Sequence, residues 1–119
     1  MPEIRTKRVY ADPDGERAAD GYRIFIDRLW PRGESKAAFH YDLWAKDIAP
    51  SAELREWFHA DRADRWDEFA RRYYAELQAN PSALKLRESI AGKNLVTLLY
   101  GSKDTVHNNA AVLARFLRQ

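Results

Sequence analysis

The run from Tyr22 to Gly33, Tyr-Arg-Ile-Phe-Ile-Asp-Arg-Leu-Trp-Pro-Arg-Gly, constrains the fold more than any other stretch. Tyr22, Ile24 and Ile26 alternate with Phe25, so both sides of an extended segment are largely apolar. That is the pattern of a strand covered on both faces, the usual state of a parallel strand. The character then changes at once. Asp27, Arg28, Trp30 and Arg32 crowd together, and Pro31 and Gly33 stop regular structure. Charges and a tryptophan at the end of a buried strand are costly for stability alone, and the run reads as one wall of a binding site.

A second run, Asn94 to Tyr100, has the same buried-strand character and is followed by the tight loop Gly101-Ser-Lys-Asp104. Glu3 to Tyr10 predicts a further strand, rich in cations and suited to a sheet edge or one wet side. Between them, Ala11 to Gly21 carries the turn signals Asp-Pro-Asp-Gly and Asp-Gly and predicts a mobile surface loop. Residues 28–36 predict a long polar exit loop. Phe39 to Ile48 is open between a short strand and a turn of helix.

Four helices follow from spacing and caps. Ser51 caps one that runs to about His59, with Leu54, Trp57 and Phe58 inward. Asp61 caps a second, with the apolar stripe Trp66, Phe69, Ala70, Tyr73 and Leu77 facing the core. Asn80-Pro81 starts a third, ending at Gly92. The fourth runs from Thr105, capped by Asp104 or Thr105, with Val106, Ala110, Leu113, Phe116 and Leu117 on one face. Strands alternating with helices predict an α/β fold, a small, mostly parallel sheet of three or four strands with helices packed on it. With 119 residues and no linker or repeat, a single domain over 1–119 is expected.

Composition narrows the chemistry. There is no cysteine, hence no disulfide, no thiol nucleophile and no Cys-type zinc site. No apolar run approaches the length of a membrane span, and no signal-peptide pattern is present, so a cytoplasmic protein without membrane association is expected. The formal net charge of +2 is too small to imply nucleic acid by itself. Most of the positive charge is arginine, which suits planar contacts with carboxylate or phosphate. Oligomeric state is not legible.

The runs Asp27-Arg-Leu-Trp-Pro-Arg-Gly33, Asp42-Leu-Trp-Ala-Lys46, Ala49-Pro-Ser51 and Leu98-Leu-Tyr100, then Lys103-Asp104 and His107-Asn108, occur in a recognisable order. In these the chain resembles the YeaO-like branch of a large bacterial and archaeal family of domains of unknown function. The resemblance covers nearly the full length. It implies a compact cytosolic α/β domain, distantly rhodanese-like, with no established activity. Many members of the wider family carry cysteines after the last strand. The comparable places here hold Tyr100 and Asn108, which removes any thiol chemistry.

In parallel α/β sheets, ligands sit in the crevice beyond the carboxyl ends of the strands. If the two buried strands are parallel neighbours, Asp27-Arg28 and Gly101-Ser102-Lys103 face one crevice. The expected ligand is a small phosphorylated or carboxylated molecule. Arg28, Arg32 and Lys103 would balance its charge, and Asp27 or His107 would transfer protons if the site is catalytic. Gly101 and Ser102 would offer backbone N–H groups at a helix start. Trp30 and Tyr100 would wall the pocket, and Asn108 would bind an amide or carbonyl. Each residue has a plainer reading. Arg28 and Arg32 can brace the exit loop on Asp27, Asp42 or Asp47. The glycine loop is not a Walker loop and can be no more than a helix start. His107 is more ordinarily structural, and Asn108 can cap the loop. No cofactor or metal is implied: His40 and His59 lack partners at ligand spacing. Two other functional classes stand beside the small-molecule site. One is a nucleic-acid module using Arg5, Lys7 and Arg8 as a basic edge, disfavoured by the balanced charge. The other is a regulatory interaction domain.

Overall fold

The computed structural model describes residues 2–11, 17–36 and 39–119. Four strands form one all-parallel sheet: β1 (Glu3–Arg8), β2 (Tyr22–Phe25), β3 (Leu43–Trp44) and β4 (Leu95–Tyr100), in the order β1-β4-β2-β3. Four helices accompany it: α1 (Ala52–Ala60), α2 (Arg62–Gln78), α3 (Pro81–Ser89) and α4 (Asn109–Leu117). The α/β class and the parallel sheet are as expected from sequence, and β1 lies at a sheet edge. The Phe39–Ile48 segment resolves into both of its readings, a two-residue strand followed by a 3-10 turn at Lys46–Ile48.

The two faces of the sheet follow the two-residue period of the strands. Ile24 and Ile26 of the β2 run, with Val96, Leu98 and Tyr100 of β4, point to the helices and join Phe58, Phe69, Tyr73, Leu113 and Phe116 in the main core. Phe25 and Leu99 point the other way, into a smaller core closed by Val9, Phe39, Trp30 and Trp44. Among the described residues this second face is covered by loop aromatics rather than by an α-helix. Phe25 and Phe39 meet edge to face at 5.1 Å, and Trp30 meets Phe39 likewise at 5.4 Å.

Toward the amino ends of the strands, the same face carries a polar lock that the sequence did not announce. Asp20 is buried and bonds to the guanidinium of Arg23, itself buried, and to Lys7 at 3.1 Å. Arg23 also donates to the His40 carbonyl at 3.0 Å, and Thr97 donates to the Asp20 carbonyl at 2.7 Å. Asp20 therefore turns inward from the surface loop, while its neighbours Ala19 and Gly21 are exposed. The Asp12-Pro13-Asp14-Gly15 part of the surface-loop expectation lies outside the described residues. Gly21 is required at its position: φ is +67°, and a Cβ would stand 2.4 Å from the Leu95 carbonyl oxygen.

Ser51, Asp61 and Asn80 cap α1, α2 and α3 as read from sequence. The stripe of α2 is buried at Phe69, Tyr73 and Leu77, and Glu68 and Arg72 pair at 2.5 Å one turn apart. Several details differ. The third helix ends at Ser89, and Gly92 is not in the left-handed conformation of a glycine cap. The last helix starts at Asn109 and not at Thr105, because Asn108 supplies the cap and Asp104 instead closes a separate turn on Val106 and His107. Val106, 67% exposed, is off the apolar face. Trp57 is only half-buried, between the guanidinium groups of Arg65 and Arg72 at 4.8 and 4.5 Å.

Trp66 is also only half-buried, whereas Phe69 is buried and stacks on Phe58 at 4.2 Å. Phe69→Ala should cost roughly 3–5 kcal/mol in denaturant melts, the range for deleting a buried aromatic. Trp66→Ala should cost less, about 1–2 kcal/mol, because less apolar surface returns to water.

Candidate functional site

Parallel pairing places every strand's carboxyl end on one side of the sheet. In the register Phe25↔Leu99, two further residues bring Asp27 beside Gly101. The Gly101 N–H donates to Asp27 Oδ2 at 2.8 Å, and the Asn109 side-chain amide donates to Oδ1 at 3.1 Å. One carboxylate thus ties the end of β2 to the end of β4 and to the first residue of α4. A Cβ on Gly101 would lie 3.0 Å from Asp27 Oδ2, so glycine allows this close approach. Burial raises the Asp27 pKa above its usual value, and the bonds from Asn109 and Gly101 partly oppose that rise.

Above this floor opens a crevice of about 840 Å³. Its walls come from the ends of β1, β2 and β4, the exit loop, and the α1–α2 corner. Six cations line it, Arg8, Arg28, Arg32, Arg55, Arg62 and Lys103, against the two carboxylates of Asp27 and Asp104. Three of the arginines bond to uncharged oxygens. Arg8 Nε donates to the Ser102 carbonyl at 2.9 Å, Arg62 to Ser102 Oγ at 3.2 Å, and Arg28 to the Pro50 carbonyl at 3.2 Å. Among the described residues none of the six makes an ion pair with a carboxylate. Asp104 is turned to its own loop, and the N–H groups of His107 and Val106 hold its carboxyl below the usual range. His59, on the same wall, has its pKa lowered by partial burial and then by Arg62 and Arg55. Phe58, Phe69 and Tyr10 supply apolar lining.

The crevice brings together Asp27, Arg28, Trp30, Arg32, Gly101, Ser102, Lys103 and Asn108. Several of these also have structural duties. Trp30 Nε1 donates to the Glu34 carbonyl at 2.6 Å, and Asn108, 2% exposed, accepts from Ala111 N–H and donates to the Asp104 carbonyl. Asp27 and Arg28 do not pair with each other: Asp27 accepts from Gly101, and Arg28 donates to the Pro50 carbonyl. The Gly101 N–H is taken by Asp27, and the Gly101–Asp104 loop precedes a turn, not a helix start. Tyr100 is not among the lining residues: it follows Val96 and Leu98 into the main core. His107 also lies apart, with its ring stacked on Trp66 at 4.7 Å. Tyr10, Arg55, His59 and Arg62 were missed as crevice residues, and Arg8 was read only as part of a basic edge. The one local signal for them is the placing of Arg55, His59 and Arg62 around Phe58. No group of three or more His, Asp or Glu among the described residues is arranged to hold a metal ion, and no described helix is long and apolar enough to cross a membrane.

A family model described as the inactive DUF488-N3 subclade matches residues 3–119. The chain belongs to this family. It is 46% identical over 115 residues to the uncharacterized protein YeaO of Escherichia coli (strain K12), covering 97% of this chain and 96% of the relative. It is 41% identical over 114 residues to the uncharacterized protein Rv3073c of Mycobacterium tuberculosis (strain ATCC 25618 / H37Rv), covering 96% of this chain and 92% of the relative. No solved structure matches, and the rhodanese-like comparison has no support beyond the parallel sheet itself.

The raised pKa of Asp27 makes a signed prediction. Between the ordinary value of 3.8 and the raised folded value, the native state binds more protons than the unfolded chain. Stability contributed at this site is therefore present at low pH and lost as pH rises through the folded pKa. In denaturant melts from acid to neutral pH, the parent should lose stability relative to Asp27→Asn across that window and then level off. A flat difference would mean that the carboxyl is not perturbed.

Proposed function

We propose that the crevice binds a phosphorylated or carboxylated small molecule, and that the protein acts as a ligand-binding module of the cytoplasm rather than as a catalyst. The observation that carries this reading is the set of six lining cations with no carboxylate partner among the described residues. Six cations against two carboxylates leave a surplus of positive charge, which in a partly desolvated cleft attracts an anion over a long range. Arginine and lysine together offer forked and single donors suited to phosphate. A binding role accords with a family described as inactive and with a chain that has no thiol. It also accords with an Asp27 already held by two donors.

The nucleic-acid reading loses its footing at the basic edge. Arg5 pairs with Glu3 at 2.5 Å and Lys7 with Asp20, which leaves Arg8 as the member of that trio lining the crevice. In an NMR titration, inorganic phosphate should shift the amides of Gly101 to Asp104, and pyrophosphate should bind more tightly than phosphate. Lys103→Ala and Arg55→Ala should each weaken binding by about threefold to tenfold, in keeping with charge-assisted contacts at a half-exposed site. Shifts confined to Glu3–Lys7, or oligonucleotide binding that collapses steeply with salt, would reject the small-molecule site.

A further inference from the structure

Asp27 is out of place in a crevice built for anions alone. It sits at the floor among six cations, yet its carboxylate is held back by Gly101 and Asn109 and makes no ion pair among the described residues. A carboxylate has about four acceptor positions, and these two donors occupy one on each oxygen. The side chain is only partly buried and lines the crevice, and each oxygen keeps an acceptor position that neither donor takes. Two acceptors side by side match a pair of adjacent N–H donors. An ammonium or guanidinium group would satisfy them, but the surplus of positive charge repels a cationic ligand group. The donors must then be neutral. Neutral N–H donors side by side, on a body that suits the apolar walls of Trp30, Pro50 and Phe58, are the edge of a heteroaromatic ring. The volume, about 840 Å³, is also far more than a lone oxyanion fills, and lies within the range of sites for small organic ligands.

We infer that the crevice takes a phosphorylated heteroaromatic compound of the purine nucleotide class, with the cations on the phosphate and the Asp27 carboxylate accepting from two adjacent N–H groups of the ring. The inference rests on the anion-binding reading above and adds the identity of the organic part. A guanine-type ring presents two such donors, a hypoxanthine-type ring one, and a bare sugar phosphate none.

The test is a calorimetric ladder on the full chain with four probes: inorganic phosphate, ribose 5-phosphate, inosine 5′-monophosphate and guanosine 5′-monophosphate. Affinity should rise in the last three in that order, with guanosine monophosphate at least about tenfold tighter than ribose 5-phosphate, as expected for hydrogen bonds to a charged acceptor. Asp27→Asn should remove most of the advantage of guanosine over inosine monophosphate, since an amide keeps one acceptor and loses the other. Because the ladder is measured first on the parent protein, it decides the matter even if the variant does not fold. Equal affinity for ribose 5-phosphate and guanosine monophosphate would overturn the ring assignment and leave the anion site standing. No binding of any of the four would overturn both.

Discussion

The site depends on one carboxylate. Asp27 accepts from the Gly101 N–H and from the Asn109 side chain, and so joins the ends of the two central strands to the start of the last helix. Parallel strands need long crossovers, so Asp27 and Gly101, far apart in the chain, meet through the sheet pairing and this bond. The Asp27 carbonyl accepts from Trp44 Nε1 at 2.7 Å, which draws the end of β3 to the same point. The carboxylate stands at the strand termini, where the regular ladder ends and backbone N–H groups would otherwise lack partners. Its desolvation works against its charge, and its two donors work for it.

Around that floor the electrostatics are lopsided. Ion pairs form elsewhere, Asp20 with Arg23 and Lys7 inside and Glu68 with Arg72 on the surface of α2. Among the described residues none forms in the crevice. Arg8 donates to the Ser102 carbonyl, and Arg62 to the Ser102 hydroxyl and the His107 carbonyl. Such bonds position a guanidinium without neutralising it. The arrangement keeps positive charge available in the cleft while the loop from Gly101 to Asn108 is braced by the same side chains.

Much of the fold was legible because it rests on periodicity and on caps. Alternation at Ile24, Phe25 and Ile26 placed the two sides of β2 correctly, and Ser51, Asp61 and Asn80 announced three helix starts. The start of α4 was misread for a local reason. Asp104 and Asn108 are both good caps, and Asp104 closes a turn that resembles a first helical turn in sequence. The two-residue period that located Tyr22 and Ile26 also assigns Tyr100 to the helix side, with Val96 and Leu98; ring chemistry had suggested a wall.

By itself the chain determined which segments are strands and helices, which of their faces are apolar, and that chemistry gathers where Tyr22 to Gly33 leaves the sheet. These are properties of neighbouring residues, governed by side-chain period and backbone conformation. Tertiary structure alone decided what completes the crevice. Arg55, His59 and Arg62 belong to helices packed behind the strand ends, and Arg8 belongs to an edge strand. Whether a surface arginine is paired with an acid or left facing a cleft depends on which element stands opposite. It also decided the state of Asp27, because a carboxyl's pKa reflects burial and donors brought from far along the chain. Gly101 and Asn109 reach Asp27 only once β4 has paired with β2.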